Sequence, residues 1–455
     1  MKLYIYLFLI SSSLSFSQTF NTSTLLNNGP NDNRINIAIV GDGFLSTQET
    51  ELNTGAQSIL DYLFLKSPFK EYKNYFNAYA IAVISNESGV KHPGDATDVT
   101  EPVFPVANPD NYCGSTFDVG AHRCVYSFTT NTVGDILASN VPDYDIAYVM
   151  VNSTEYGGCS GDYPFGTLNT SANETFVHEL GHFFASLADE YWFTVPGESI
   201  NKTQNSDPST NRWKNWLGIS GIGIYPHAES PTWFRPHQNC EMRYLNRQFC
   251  AVCKEGIVER IHDLISPIDS YNPANSTVID VNTDIPFSVD EILPSPNTLV
   301  NTWTLNGVLL SETNSTITIN PAQLNTGSNS LLFSVTDNTS FVKTDNHSTI
   351  HFSTVLWTLN KAPLGTTDII VEKKEFSIYP NPSTNAFFIK GKQAFSSNLR
   401  INIADITGRN IPVKFELIDD TNIGVDTNGL ASGTYIMSAT ENNKVIFSQK
   451  IIINN

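Results

Sequence analysis

The sequence TFVHELGHFFASLADEYW, residues 175–192, decides how this chain is interpreted. Its apolar residues recur every three or four positions, which predicts a buried amphipathic helix. A helix turns about 100° per residue, so His178 and His182 lie about 40° apart on one face and one turn from each other. Two imidazoles in this arrangement can bind one Zn²⁺ ion, and Glu179 beside them can act as general base toward a metal-activated water. The pattern HExxH arises by chance in roughly one such chain in a hundred, which favours a catalytic zinc site over two structural histidines.

The third ligand of such a site is harder to read from the sequence. On an unbroken helix Asp189 would lie only about 20° from His182 in azimuth but about 10 Å further along the axis. That distance is too long for one shared ion, so Asp189 can bind only if the helix ends between Ala185 and Ala188. No glycine is present there to ease a turn. Glu190 is the nearest alternative ligand.

Length and charge narrow the function classes. A chain of 455 residues predicts two or three domains. It carries 45 Asp and Glu against 26 Lys and Arg, which argues against nucleic acid or an anionic membrane as partner. Proteins, peptides, glycans and small molecules are left as partners.

The N-terminus is typical of an exported protein. Met1 and Lys2 are followed by an apolar run over residues 3–10 and by small residues at Ser15 and Ser17. The run is too short to span a bilayer, which needs about 20 residues, so we predict a cleaved signal peptide at residues 1–17. A retained anchor is the alternative. The mature chain is then expected to have no membrane span.

The cysteines agree with export. An even number in an exported segment favours disulfides, although the pairing cannot be read from the sequence. The motif Cys250-Ala-Val-Cys253 also suggests a structural zinc clip or a redox pair, but the sequence offers no second CxxC motif and no thioredoxin-like context. The six cysteines are Cys113, Cys124, Cys159, Cys240, Cys250 and Cys253.

Three domains are predicted after the signal peptide. Residues 18–265 alternate apolar runs with helical patterns, which indicates an α/β (α+β) domain. Residues 266–366 carry short Thr- and Val-rich runs broken by turn residues, which is typical of an Ig-like β-sandwich. A small C-terminal β-sandwich is predicted for residues 367–455.

The last domain resembles a known targeting module. It carries FSIYPNPS (376–383), DITGR (405–409) and LASGTYIM (430–437). These motifs, in this order and at this end of the chain, resemble the type A C-terminal sorting domain of the type IX secretion system. The resemblance implies the type IX secretion machinery as partner and a chain that is secreted, extracellular or attached to the outer cell surface.

The first domain resembles a peptidase family. The motifs are GDGF (41–44), YFNAYAIAVISNESG (75–89), YGG (156–158) and RPHQNCEMR (235–243), together with the HExxH stretch. Over residues 36–261 they resemble the IgA-peptidase family of zinc metallopeptidases, the igalysin type of metzincin.

That resemblance implies a metzincin-like zinc peptidase fold and a set of site residues. His178, His182 and Asp189 correspond to the zinc ligands and Glu179 to the base. Met242 corresponds to the Met-turn, the apolar floor beneath the metal. The chain departs from the family at Ser186, where a glycine usually stands.

The predicted function is a secreted Zn²⁺-dependent endopeptidase that hydrolyses peptide bonds of extracellular proteins. Tyr244 is a candidate donor to the oxyanion, although a packed tyrosine explains it nearly as well. A peptidase of the gluzincin type would instead take Glu255 or Glu259 as third ligand. The alternative function is a surface adhesin, or a glycan- or protein-binding protein, with a structural metal site.

Overall fold

The computed structural model describes residues 18–92, 108–191, 197–362, 376–441 and 444–455. The predicted signal peptide lies outside these ranges. The chain forms two compact units, Met1–Lys361 and Ala362–Asn455. Among the described residues, no helix is long and apolar enough to cross a membrane.

A six-stranded sheet organises the first part of the chain. Its strands are β1 (Asn21–Leu26), β2 (Ile35–Asp42), β3 (Phe76–Ala82), β4 (Ile146–Val151), β5 (Gly158–Ser160) and β6 (Pro164–Thr167). The order across the sheet is β1-β3-β2-β4-β6-β5. The four inner strands run parallel, and both edge strands run antiparallel to their neighbours. Strands β2 and β4 are buried along their whole length, as expected for inner parallel strands covered on both faces.

Helices cover both faces of this sheet. They are α1 (Glu49–Leu63), α2 (Thr130–Asn140), α3 (Ala172–Ala185) and α4 (Ala251–Leu264). Ile37 and Ile39 of β2 face a core shared with α1, α3 and α4, whereas Ala38 and Val40 face a second core shared with α2. A two-stranded ribbon, β7 (Tyr225–Pro226) and β8 (Phe234–Arg235), lies between α3 and α4 in the chain. The mixture of helices and sheets confirms the α and β content predicted for this region.

The next part of the chain forms two facing sheets. The strands are β9 (Ile268–Asn272), β10 (Ile279–Asp280), β11 (Ile285–Glu291), β12 (Leu299–Leu305), β13 (Val308–Leu309), β14 (Thr316–Ile319), β15 (Gly327–Asp337) and β16 (Phe352–Lys361), with the one-turn helix α5 (His347–Ile350) before β16. A five-stranded sheet has the order β10-β16-β15-β12-β13, and a three-stranded sheet has the order β14-β11-β9. Trp303, Trp357 and Phe287 are wholly buried in the core that both sheets share.

The unit Ala362–Asn455 contains two four-stranded sheets over one core that includes Phe387, Ile403 and Met437. The strands are β17 (Phe376–Tyr379), β18 (Ala386–Gly391), β19 (Leu399–Asp405), β20 (Asn410–Ile411), β21 (Phe415–Asp419), β22 (Asn422–Asp426), β23 (Gly433–Glu441) and β24 (Lys444–Ile453). The order is β17-β18-β22-β21 in one sheet and β20-β19-β23-β24 in the other. Sandwich-like architecture thus follows the mixed region, as predicted. The domain boundaries at residues 265 and 366 stay predictions.

Candidate metal and active site

The end of α3 determines where the residues after it can reach. The helix stops at Ala185, and Ser186 adopts a left-handed backbone conformation with φ 52° and ψ 34°. Its N–H donates to the carbonyl of His182 at 3.0 Å, and the N–H of Leu187 donates to the carbonyl of Gly181 at 3.0 Å. The helix therefore breaks in the interval that binding by Asp189 requires, and a serine makes the turn.

This break brings three predicted ligands together. Nε2 of His178 lies 3.1 Å from Oδ1 of Asp189, and Nε2 of His182 lies 3.2 Å from the same oxygen. The two imidazole rings are nearly perpendicular, with their centroids 5.0 Å apart. Glu190, the alternative ligand, is wholly buried and faces three cysteines instead.

The hydrogen bonds of the two rings fit a metal ion. Nδ1 of His178 lies 3.1 Å from the carbonyl oxygen of Glu241, and Nδ1 of His182 lies 2.7 Å from that of Leu187. If each Nδ1 carries its hydrogen and donates to that carbonyl, the lone pairs on both Nε2 atoms face the carboxylate of Asp189. Lone pairs and a carboxylate directed at one point repel each other unless a cation lies between them. Metal-bound histidines usually have this kind of support from a carbonyl.

The ionisation of Asp189 agrees with this role. Burial raises the pKa of this carboxyl, but when protons on the two Nε2 atoms stand in for the cation, the hydrogen bonds from His178 and His182 and the charges of the rings lower the pKa by more. The net pKa is well below the usual value for aspartate, so the side chain offers a carboxylate to a cation at neutral pH.

Glu179, the predicted base, faces the edge of the six-stranded sheet. Its Oε2 accepts a hydrogen bond from the hydroxyl of Ser160, the last residue of β5. A disulfide between Cys124 and Cys159 ties β5 to the loop before α2. Ser160, which orients Glu179, therefore lies on a strand that is fixed by the disulfide at the adjacent residue Cys159 and by its pairing with β6.

Gly157 and Gly158, which precede Ser160, pack closely against other parts of the chain. A Cβ atom on Gly157 would lie 2.6 Å from the ring of Phe117. The N–H of Gly158 donates to the carbonyl of Arg123 at 3.0 Å, so the outer side of β5 is already covered at that residue. Close packing thus requires a glycine at residue 157, and a Cβ atom on Gly158 would lie 3.0 Å from the carbonyl oxygen of Phe165.

Met242 lies under the helix, as the resemblance implied. Its side chain is wholly buried, and a Cβ atom on Gly181 would lie 2.6 Å from its sulfur. Its carbonyl accepts the N–H of Glu190 at 2.7 Å. The methionine thus contacts α3 between the two histidines and holds the segment that follows Asp189.

Two tyrosines lie near these elements. Tyr244 is 48% exposed, and its ring stacks on the guanidinium of Arg243 at 4.7 Å. The ring of Tyr191 lies nearly parallel to that of His178, with centroids 6.4 Å apart. Burial, followed by the charge of Asp189 and a hydrogen bond to it, raises the pKa of the Tyr191 phenol. No role was predicted for Tyr191 from the sequence, although its position two residues after Asp189 was a usable signal.

The later glutamates considered as third ligands face elsewhere. Oε2 of Glu255 accepts the indole N–H of Trp216 at 2.9 Å. Oε1 of Glu259 lies 2.7 Å from Nδ1 of His347. Neither belongs to the group that His178 and His182 form with Asp189.

The prediction of disulfides is correct for one pair only. Cys124 and Cys159 are bonded, whereas four cysteines are free. Cys113 lies in the core that faces α2, where the other thiols do not reach it. The remaining three, Cys240, Cys250 and Cys253, come together around Glu190.

Comparison with known families identifies two segments. Residues 24–220 match the family model described as IgA Peptidase M64. Residues 377–454 match the one described as Secretion system C-terminal sorting domain. Both resemblances drawn from the motifs are therefore confirmed. Residues 24–220 are thus similar to a peptidase family, and the match to a sorting domain at residues 377–454 indicates a secreted or cell-surface location.

No curated protein matches the chain. Among solved structures, the Lin-41 filamin domain has 10% identity, covers 18% of this chain and 93% of that chain, and gives a TM-score of 0.16. The Bacteroides ovatus mixed-linkage glucan utilization locus protein SGBP-B has 12% identity and a TM-score of 0.15. The match covers 42% of this chain and 46% of that chain. Domains 5-6 of the S-layer protein SbsC have 11% identity, with 41% and 96% covered and a TM-score of 0.15. Similarity this low supports no inference about fold or function.

Proposed function

We propose that this chain is a secreted zinc-dependent endopeptidase that hydrolyses peptide bonds of extracellular proteins. The observation that carries the proposal is the convergence of both Nε2 atoms on the carboxylate of Asp189, with Glu179 next to His178 in the same helix turn. The peptidase family match and the sorting domain support a secreted peptidase. Zinc, the metzincin-like fold and the individual roles below belong to the proposal.

His178, His182 and Asp189 would hold the ion. Two imidazoles and one carboxylate form a ligand set that suits Zn²⁺ and leaves a coordination position for substrate or water. Bound zinc would supply Lewis-acid chemistry, polarising the scissile carbonyl and making water more acidic.

Glu179 would move the proton. Its carboxylate accepts a proton from the attacking water and returns it to the departing amine. Ser160 positions this carboxylate through its hydrogen bond to Oε2. The side chain is only partly buried, so water can reach the other oxygen.

A phenol would donate a hydrogen bond to the developing oxyanion. Tyr244 is the candidate from the sequence, and Tyr191 is the candidate from its stacking on His178. Tyr244→Phe and Tyr191→Phe, measured separately for turnover and metal content, identify the donor. The donor is the tyrosine whose replacement lowers kcat while the metal is retained.

The test compares residues 18–455 with Glu179→Gln and Asp189→Asn. Wild type should cleave casein or members of a peptide library. Glu179→Gln should keep its zinc and lose activity about 100-fold or more, because a general base contributes about that factor. Asp189→Asn should lose the zinc ion that His178 and His182 would bind. Glu51→Gln on the exposed side of α1 is the matched control and should change neither.

Two results would contradict the proposal. Full cleavage by Glu179→Gln would remove the base from the mechanism. Stoichiometric zinc without cleavage of any library member would favour the adhesin or binding protein, whose metal site is structural.

A further inference from the structure

A second group of ligand side chains begins one residue after Asp189. Glu190, Cys240, Cys250 and Cys253, here called the thiol cluster, each offer one ligand atom, and all four atoms lie within 4.8 Å of one another. The Sγ atoms of Cys240 and Cys253 are 3.6 Å apart. Oε1 of Glu190 lies 3.3 Å from Sγ of Cys253 and 3.9 Å from Sγ of Cys250.

Disulfide formation does not account for this arrangement. A disulfide joins two sulfurs at about 2.05 Å, and the chain contains one between Cys124 and Cys159. The thiol cluster has three sulfurs, so any one pair would leave the third thiol buried beside a carboxylate. All three cysteines are free in the structure.

The carboxylate of Glu190 also lacks a counter-charge in its immediate contacts. Its side chain is 0% exposed. Oε1 accepts a hydrogen bond from Asn201 at 3.2 Å, but Oε2 has no hydrogen-bond partner in the described part of the chain. No ion pair of Glu190 is found among the described residues. Burying a carboxylate is costly unless it is paired or binds a cation, so a positive charge in the cluster would stabilise it.

The ligand set selects the metal. Thiolates favour soft or borderline ions, and three thiolates with one carboxylate form a closed four-ligand site of the structural zinc kind. Tetrahedral zinc with bonds of about 2.3 Å to sulfur and about 2.1 Å to oxygen separates two sulfurs by about 3.8 Å and a sulfur from an oxygen by about 3.6 Å. The separations of 3.3, 3.6 and 3.9 Å are close to these values.

The N-terminus of α4 would stabilise the negative charge of such a site. Cys250 is the residue before the helix, and Cys253 lies in its first turn. The N–H of Cys250 donates to Sγ of Cys240 at 3.3 Å. The positive end of the helix dipole therefore faces the sulfurs.

We propose that the thiol cluster is a second, structural zinc site. It stands independently of the proposed peptidase activity, because its ligands differ from those of the first site. Bound zinc would cross-link three segments: the residues after α3, the segment before Met242, and the start of α4.

This cross-link would position the first site through adjacent residues. Asp189 precedes the ligand Glu190. Cys240 is followed by Glu241, whose carbonyl supports His178, and by Met242, which accepts the N–H of Glu190. Two short segments thus serve both groups of ligands, and fixing one group restrains the other.

The experiment uses residues 18–455 purified without oxygen and without a reducing agent, so that the free thiols stay reduced and the disulfide Cys124–Cys159 stays intact. Zinc content is measured on the purified protein, and cobalt is then substituted for zinc. The proposal expects a thiolate-to-cobalt charge-transfer band in wild type and in His178→Ala, which disables only the first site. Cys253→Ser should lose the band together with one equivalent of zinc. Cys113→Ser, at a buried cysteine outside the cluster, is the matched control and should retain both.

A second measurement on wild type covers the case in which Cys253→Ser does not fold. Zinc-bound thiols should resist alkylation in the native protein and become reactive when a chelator is added. Native Cys240, Cys250 and Cys253 that alkylate equally with and without chelator would overturn the proposal. A disulfide within this trio by mass spectrometry, no charge-transfer band in wild type, or iron–sulfur absorption would do the same.

Discussion

At the scale of single residues, Ser186 determines whether the first site can form. A non-glycine residue in the left-handed region costs about 1 kcal/mol, and Ser186 has φ 52°. Ser186→Gly should therefore raise the free energy of unfolding by about 0.5–1 kcal/mol. The larger conformational entropy that glycine gives the unfolded chain offsets part of this gain. Urea unfolding of the two proteins measures the difference.

The same substitution in ordinary helical backbone is the control for Ser186. Ser139 lies near the end of α2, where Ser139→Gly should destabilise by about 0.5 kcal/mol. If Ser186→Gly destabilised the protein as much as Ser139→Gly does, the left-handed turn after α3 would be contradicted.

Gly181 tests the floor beneath the histidines. Alanine in a helix interior normally stabilises by about 1 kcal/mol relative to glycine. A Cβ at Gly181, however, would lie 2.6 Å from the sulfur of Met242. Gly181→Ala should therefore destabilise by about 1–2 kcal/mol and lower metal affinity, because Met242 and the segment after it must move.

Gly134 in α2 is the matched control for Gly181. A Cβ there would meet the hydroxyl of Tyr163 at 3.4 Å, an ordinary contact. Gly134→Ala should gain the usual helix stabilisation. Thermal melts and metal titration of both variants separate helix propensity from contact with Met242, and equal stabilisation by both would exclude the contact.

Some candidate site residues were easier to predict from the sequence than others. His178, Glu179 and His182 follow from helix periodicity alone, because all three lie within one turn. The assignment of Asp189 as a ligand depended on where α3 ends. The helix ends where Ser186 adopts a left-handed backbone conformation, which is energetically unfavourable for serine. The sequence therefore left both Asp189 and Glu190 as candidates, and the structure places their side chains in two different groups of possible ligands.

At the scale of elements, a histidine of α5 joins α4 to the following sheet region. Nδ1 of His347 lies 2.7 Å from Oε1 of Glu259, and its Nε2 lies 3.1 Å from the carbonyl of Asp337. Only the doubly protonated ring can donate to both. Burial lowers the pKa of His347, but the hydrogen bond and charge of Glu259 raise it by more, so the pKa lies above its usual value.

This contact makes stability depend on pH. A raised folded pKa stabilises the protein fully below the unfolded value of about 6.5, and the contribution is lost as pH rises through the folded pKa. Between about pH 6 and about pH 9, wild type should lose about 1 kcal/mol relative to His347→Gln. Glu259→Gln should remove the same pH dependence, and an unchanged pH profile in either variant would contradict this role of the contact between His347 and Glu259.

Secondary-structure elements were easier to predict from the sequence than the contacts between them. The HExxH helix carries a strong local pattern and forms as expected. The apolar run Ile35–Val40 is a local pattern of the same kind and forms most of the buried strand β2. The thiol cluster joins positions 63 residues apart, Glu190 and Cys253, so no local pattern contains it. This is why the CxxC motif had no visible partners in the sequence.

At the scale of the whole molecule, the mixed region and the sheets after it form one compact unit. The hydroxyl of Tyr72 donates to Asp337 at 2.6 Å, and that of Tyr75 donates to the carbonyl of Ile292 at 2.7 Å. Both tyrosines are buried. The predicted boundary at residue 265 therefore separates two sheet systems that share buried hydrogen bonds.

Truncation tests this organisation. A chain of residues 18–361 should keep its metal, its activity and its melting temperature to within about 2 °C, because the unit Ala362–Asn455 has its own core. A chain ending at residue 265 should melt about 5 °C lower or more, since the buried hydroxyls of Tyr72 and Tyr75 lose their partners. Equal melting of the two truncated chains would contradict this view.

We propose that His178, His182 and Asp189 bind the catalytic metal. Anomalous diffraction at the zinc edge, on crystals of residues 18–455, would locate the ion. We expect a peak about 2.0–2.2 Å from Nε2 of both histidines and from the carboxylate of Asp189. Zinc in the crystals with no peak at these three residues, or a peak there with Glu255 in place of Asp189, would contradict it.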